Sequence, residues 1–268
     1  MLTYDQLAHC ADHGWVVLED VLDADQCAAY KDALDRCVRT RRPLLANKSA
    51  DTTQIDNPVL YDDLFLEWFT LPGILEANRQ LIGAPLRLNT SYAHIRVPHP
   101  ARQARGADLV AHDGLGWHRD FRPKWGITPH DSDPRLLHCT MTNNVTYLTT
   151  VSPGNGSTAV LDGSHVLEGT YQSLKERCPV REVPARAGSV LIFSESLIHS
   201  AVPILSEQIR YNMYYCLTPP WVAPWDGRGV PQAIVDALLD EQVRDVLGPP
   251  TLVDQHGGIA ARTHFVAE

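Results

Sequence analysis

Two separate segments of this sequence carry side chains that could share one ion. In Gly116-Trp117-His118-Arg119-Asp120-Phe121 an imidazole and a carboxylate stand at i and i+2. On extended backbone such residues leave the same face, so both can reach one cation. The triplet is short, and a kinase catalytic loop is excluded because no glycine-rich phosphate loop, VAIK-like lysine or DFG accompanies it. The second segment is Ser196-Leu197-Ile198-His199-Ser200-Ala201, just past the apolar run Ser189 to Phe193. Alone, His199 reads as well as a hydrogen-bonded core histidine. Together, His118, Asp120 and His199 offer two nitrogens and one oxygen, a set that suits Fe(II) and leaves adjacent coordination positions open. A chelating 2-oxo acid would take two of these and O₂ the third.

Eleven residues after His199, Arg210 stands in the β-prone run Ile209 to Tyr215. In isolation it could be an exposed strand arginine. Beside a metal triad, its planar guanidinium could grip the far carboxylate of a dicarboxylic co-substrate in two-pronged fashion, as lysine cannot. For the prime substrate the candidates are Asn89, Tyr92 and His94, which with Arg96 lie along one β-prone run and are read as sharing a face. That face is either a pocket wall or a solvated sheet surface. Trp117, Phe121 and Trp125 bracket the triplet, while Trp221 and Trp225 follow the Arg210 run on proline-rich chain. These aromatics could line an apolar cavity, close over it or simply pack. Arg119, between two ligands, should point away from the ion.

Something must hold these segments together. Thr3 to His13 reads as a helix closed by Gly14, followed by the strand-like run Trp15-Val16-Val17-Leu18. Asp23 or Asp25 can cap a second helix, along which Tyr30, Ala33, Leu34, Cys37 and Val38 recur at helical spacing. A third helical stretch covers Tyr61 to Leu81 with a break near Pro72-Gly73. Beyond about Pro85 the texture changes to short β-prone runs at Leu86 to Val97, Leu136 to Thr150, Thr158 to Leu161, Ser189 to Phe193 and Arg210 to Leu217. Short strands between turns predict a sandwich or jelly-roll barrel, mainly β with flanking helices. Val230 to Val246 returns to helical periodicity ahead of Gly248-Pro249-Pro250. One domain over 1–268 is expected: a helical part to about 84, a jelly-roll core over about 85–220 and a helical tail over about 221–268.

Bulk properties narrow the function. The chain of 268 residues has a formal net charge of -9, with 44% hydrophobic and 21% charged residues. A nucleic-acid or anionic-membrane surface needs clustered cations, and the one dense run, Arg36 to Arg42, is short. Nothing approaches the ~20 apolar residues of a membrane span, and no secretory leader is evident, so a cytoplasmic location is expected. Six scattered cysteines lack CxxC spacing and read as buried thiols. The expected partner is a small-molecule substrate, with neither nucleic acid nor membrane involved, for a monomer or homodimer.

In order and spacing, the HxD at His118 and Asp120, the turn Asn155-Gly156-Ser157-Thr158, Gly163-Ser164-His165, the AGSVLIF run, His199 and Arg210 resemble the phytanoyl-CoA hydroxylase family of 2-oxoglutarate oxygenases. The likeness spans roughly residues 3 to 220. It implies a double-stranded β-helix with Fe(II) in its mouth, 2-oxoglutarate and O₂ as co-substrates, and Thr158 as a contact to 2-oxoglutarate. It also implies that Asp120 favours hydroxylation or desaturation over halogenation, since halogenating relatives carry Gly or Ala there. Asp162 departs from the usual proline before Gly-Ser-His, and Asn143-Asn144 is more polar than the corresponding strand. His165 is read as structural. The substrate lies within a range from acyl-CoA thioesters and amino-acid-like solutes to specialised metabolites, towards which the reading leans. The readings from other classes are a cupin-like metal-binding isomerase or binding protein and, behind it, a zinc hydrolase, for which no HExxH is present.

Overall fold

The computed structural model describes residues 1–40, 46–130, 133–225 and 230–248. Its first helix, α1 (Tyr4–His13), begins where the Thr3 hydroxyl accepts the Gln6 amide and the Gln6 side chain accepts the Thr3 amide. This reciprocal box supplies partners for two amides that a helix start leaves open. Gly14 closes the helix and β1 (Trp15–Leu18) follows at once. α2 (Ala24–Thr40) is boxed in the same way by Asp23 and Gln26, and buries Tyr30, Ala33, Leu34 and Cys37 along the expected stripe. The third helical stretch divides at the expected break into α3 (Leu64–Glu67), a 3-10 turn (Trp68–Thr70) and α4 (Ile74–Ile82).

The β elements are β2 (Ala46–Ser49), β3 (Thr52–Asp56), β4 (Arg87–Arg96), β5 (Ile127–Pro129), β6 (Leu137–Cys139), β7 (Thr142–Tyr147), β8 (Thr158–Leu161), β9 (Val180–Val183), β10 (Val190–Ser194), β11 (His199–Ala201) and β12 (Arg210–Thr218). Seven form one antiparallel sheet in the order β1-β10-β7-β12-β4-β3-β2, three form a second in the order β11-β8-β9, and β5 pairs with β6. The chain is thus mainly β with flanking helices and a jelly-roll core, as expected.

Strand alternation sorts the large sheet into two faces. One carries Val190, Ile192, Met213, Tyr215 and Leu217 into a core shared with Tyr30 and Leu34 of α2 and Ile74 and Leu75 of α4. The other carries Val145, Tyr147, Leu191 and Phe193 against Val160 and Val183 of the small sheet. The space between the sheets is the barrel interior. Asp162, in place of proline, anchors its wall: the carboxylate accepts Trp15 Nε1 at 2.9 Å and Arg181 Nε at 2.6 Å, and lies 2.9 Å from His13 Nδ1.

Three expected elements differ. Leu136 to Thr150 is two strands, broken at Thr140-Met141, where the Thr140 amide turns to the Gly126 carbonyl. Val230 to Val246 is two helices, α5 (Gln232–Ala237) and α6 (Glu241–Leu247), because the Asp240 carboxylate accepts the Val243 amide and so starts a second helix. The strands β2 and β3 lie within the part expected to be helical. Arg41, Arg42, Pro249 and Pro250 lie outside the described residues, as does the tail beyond them. Among the described residues no helix is long and apolar enough to cross a membrane.

Candidate metal and co-substrate site

His118 and His199 meet across a two-way backbone bridge: each donates its amide to the other's carbonyl, at 3.0 and 2.8 Å. That bridge brings chain 81 residues apart in sequence into register and leaves the two imidazole centroids 4.3 Å apart. Asp120 follows on the same segment, its amide and that of Phe121 both donating to the Glu195 carbonyl. The result is that one ligating atom from each of His118, Asp120 and His199 lies within 4.8 Å of the other two. Two nitrogens and an oxygen at that spacing can converge on one ion.

Each imidazole is held by one ring nitrogen. His118 Nδ1 lies 2.9 Å from the Gly116 carbonyl and His199 Nδ1 lies 2.9 Å from that of Leu197. A carbonyl only accepts, so Nδ1 carries the proton and the Nε2 lone pair is free, the tautomer a metal ligand needs. Burial also pushes the His199 pKa down to about 4, against the opposing pull of Asp120, so the ring is neutral at ordinary pH. The Asp120 carboxylate accepts Asn143 Nδ2 at 2.9 Å. Arg119 turns away, as its place between two candidate ligands requires, and donates to the carbonyls of Leu167 and Gly169 at 3.0 Å.

Behind this cluster lies a polar inner wall. In the small sheet His199 is the register partner of Val160 and Ala201 that of Thr158, so His199 and Thr158 look into the barrel from neighbouring strands. The Thr158 and Tyr147 hydroxyls are 2.6 Å apart. Arg210, 1% exposed, donates Nη1 to the Gly156 carbonyl and leaves Nε buried without a partner. Gly156 has φ of 79°, and a Cβ there would meet Arg210 Cδ at 3.3 Å, so glycine lets the turn close on the guanidinium. Among the described residues no carboxylate pairs with Arg210. Two positions on, Asn212 Oδ1 is likewise buried without a partner.

The other candidates are spread more widely. Tyr92 and His94 lie on the inner face opposite Tyr214 and Asn212, and Tyr92 stacks on Tyr214 with centroids 4.4 Å apart. Burial holds the Tyr92 phenol well above its ordinary pKa, with the charge of Asp120 adding to the effect. His94 Nε2 lies 3.0 Å from Gln54 Oε1. Asn89 does not share their face as expected. It is the extra residue where the β4–β12 register slips, and its amide ties down the chain beyond β12 through the Ala223 carbonyl and the Trp225 amide. Trp117 points into packing instead of the cavity: it stacks on Tyr171 at 4.5 Å and donates Nε1 to the His112 carbonyl. Phe121 is half-buried, and Trp221 lies exposed on the chain after β12.

Sequence reasoning missed several contributors. Glu195 is fully buried, and burial raises its pKa to about 8, so it stays protonated near neutrality. Its Oε1 sits where a Cβ on Gly126 would be, so a larger residue there would have to displace the Glu195 carboxyl. Cys216 read only as a buried thiol, yet its Sγ donates to Asn143 Oδ1 at 2.8 Å. Asn143 itself was visible as an oddly polar strand residue. His165, 1% exposed with Nε2 at 3.0 Å from the Ala11 carbonyl, has the structural role expected of it.

Among known proteins, the phytanoyl-CoA dioxygenase (PhyH) family model matches residues 10–212. No curated protein matches the sequence. Of solved structures, HygX from Streptomyces hygroscopicus with nickel and 2-oxoglutarate bound is 19% identical with a TM-score of 0.68, covering 94% of this chain and 96% of its own. The carbocyclase SnoK from nogalamycin biosynthesis is 16% identical with a TM-score of 0.64, covering 94% of both chains. The epimerase SnoN from the same biosynthesis is 19% identical with a TM-score of 0.62, covering 88% of this chain and 90% of its own. The match over residues 10–212 establishes that the chain belongs to the phytanoyl-CoA dioxygenase family, and with it to the 2-oxoglutarate-dependent non-haem iron dioxygenases.

Proposed function

We propose that this enzyme, as one catalytic domain, oxidises a small organic molecule of specialised metabolism by hydroxylation, desaturation or rearrangement. Fe(II) is held by His118, Asp120 and His199, and the distal carboxylate of 2-oxoglutarate by Arg210 and Thr158. The observation that carries this reading is Arg210. A guanidinium taken out of water costs several kcal/mol, which an opposite charge must offset. No carboxylate of the described residues pairs with it, its Nε is buried without a partner, and Arg210 of the large sheet and Thr158 of the small one both look into the barrel. A dicarboxylate co-substrate supplies the missing anion, and its other end, a 2-oxo acid, is a chelator for the ion that the triad suits.

When bound, iron and 2-oxoglutarate supply the oxidation, coupling O₂ reduction to loss of CO₂ and formation of succinate. The protein's residues do the rest. The carbonyls of Gly116 and Leu197 hold the imidazoles with Nε2 free, and the Glu195 carbonyl fixes the backbone of Asp120. With iron bound, the Asp120 carboxylate would occupy the position that a halide needs, which favours oxygen insertion or hydrogen removal over halogenation. Tyr92 and Tyr214 supply an aromatic flank, suited to holding a bulky substrate beside the ion. The specialised-metabolite reading draws support from the molecules bound in similar structures, since one HygX structure holds hygromycin B and one SnoN structure holds nogalamycin RO.

The direct test is succinate release from 2-oxoglutarate with Fe(II) under air, across a panel of glycosides and polyketides. Succinate should form only with iron present, should rise with the correct substrate and should vanish in Asp120→Ala. Iron-independent turnover overturns the reading, and full turnover by that variant removes Asp120 from the ligand set.

A further inference from the structure

Each of the three candidate ligands has one hydrogen bond that fixes its rotation, and the three are not of one kind. The imidazoles lean on main-chain carbonyls, which no substitution at Gly116 or Leu197 removes. Asp120 leans on a side chain. Among the described residues, the side-chain hydrogen bond to its carboxylate comes from Asn143, Nδ2 to Oδ2 at 2.9 Å. Asn143 is 2% exposed on the inner face of β7, with Cys216 of β12 and Phe193 of β10 as register partners. Water therefore cannot replace the bond readily.

The orientation of that amide is itself fixed. A carboxylate only accepts hydrogen bonds, so Asn143 must turn its NH₂ to Asp120 and its carbonyl the other way. On that other side stands the Cys216 thiol, wholly buried, with Sγ 2.8 Å from Asn143 Oδ1. A thiol can donate to the oxygen and has nothing to offer as a strong acceptor for the NH₂, so it favours the orientation that serves Asp120. A flipped amide would set its carbonyl against the carboxylate oxygen.

We infer that Asn143, oriented by Cys216, is the positioning residue for the iron-binding carboxylate, and that this thiol–amide–carboxylate chain sets how tightly the site holds Fe(II). The inference rests on the reading of His118, Asp120 and His199 as the ligands. It also explains the polar Asn143 in a strand otherwise expected to be apolar at that position. The same chain makes Asn143 the adjustable member of the ligand supports, because it alone is encoded by a replaceable side chain.

The test is an anaerobic Fe(II) titration in the presence of 2-oxoglutarate, followed by the visible charge-transfer band, on wild type, Asp120→Ala, Asn143→Leu, Cys216→Ala and Cys216→Ser. Removing a partner that orients a ligand typically weakens metal binding about 10–100-fold, and that loss is expected for Asn143→Leu, with a displaced band. Cys216→Ala should shift affinity the same way by less, and Cys216→Ser, which restores a donor, should recover most of it. A merely structural role would lower the melting temperature and leave affinity and band unchanged. Wild-type Fe(II) affinity in Asn143→Leu, with binding lost in Asp120→Ala, overturns the inference and leaves the ligand assignment standing. Undiminished binding in Asp120→Ala overturns both. If Asn143→Leu does not fold, the Cys216 pair decides alone, and equal affinities in the Ala and Ser variants overturn the inference.

Discussion

Asn143 and Asn144 are neighbours on β7, both buried, and they look in opposite directions. On the helix-facing side, Asn144 exchanges hydrogen bonds with Asn78 of α4 and donates to the Tyr215 carbonyl at 3.0 Å, while Thr142 donates to Asn78 Oδ1. Asn78 in turn donates to the Ile74 carbonyl at 2.8 Å. That network joins strand and helix and closes on itself. On the inner side Asn143 serves Asp120, and the strand next to it buries Arg210 Nε and Asn212 Oδ1 without partners. Buried polar groups that the protein satisfies internally hold the fold together, whereas the open Arg210 Nε on the inner wall is what the proposed co-substrate would satisfy.

The contrast can be broken from either side. The largest effect is expected at Arg210. Arg210→Ala should weaken 2-oxoglutarate binding by about 3–5 kcal/mol, on the order of a hundredfold to several thousandfold, because the diacid then loses a buried ionic partner. The fold should survive, since the guanidinium has no carboxylate partner of its own to strand. Anaerobic titration of 2-oxoglutarate beside a melting curve measures both quantities. A collapse in melting temperature with unchanged 2-oxoglutarate affinity would make Arg210 a structural residue. On the opposite face Asn144→Leu should do the reverse. It leaves Asn78 and the Tyr215 carbonyl short of partners, at a cost of about 1–3 kcal/mol, or roughly 2–12 °C in melting temperature. Fe(II) and 2-oxoglutarate affinity should stay near wild type, and a parallel loss of either would show that the two faces are not separable.

The same contrast governs what could be read from residues alone. His118, Asp120 and His199 were legible because their types are rare in β-prone runs and their chemistry needs few neighbours. Strands that carry the inner wall were also legible: β8 has the expected bounds, Thr158 to Leu161, since its four residues are all buried between sheet neighbours and helix. β3 was not, because Thr-Thr-Gln-Ile-Asp has no apolar alternation and becomes a strand by pairing with β4. β11 has three residues, too few for any pattern, and exists through its pairing with β8 and the bridge to His118. Supporting residues were the least legible. Nothing in the spacing of Asn143, Cys216 and Glu195 reveals that they meet around one segment, because long-range register alone brings them there. Asn89 was misplaced because it stands three residues before Tyr92, an odd separation that alternation sends to the opposite face, and the bulge then takes it out of the β4–β12 register altogether.

The finest test of the inner wall concerns one hydroxyl. Tyr147 and Thr158 are 2.6 Å apart, both buried, and burial keeps the Tyr147 phenol protonated. If Tyr147 donates to Thr158, the Thr158 hydroxyl retains its own hydrogen for the carboxylate that Arg210 is proposed to grip. Tyr147→Phe then removes only the orienting bond, worth about 0.5–1.5 kcal/mol, and should weaken 2-oxoglutarate binding by roughly 2- to 12-fold. Thr158→Val, which deletes the donor itself while keeping the shape, should cost at least as much. A loss in Tyr147→Phe that exceeds the loss in Thr158→Val would reverse the order of the two residues, and make the phenol the direct contact to the co-substrate. Equal, negligible changes in both would leave Arg210 as the sole anchor and confine the role of this pair to packing between the sheets.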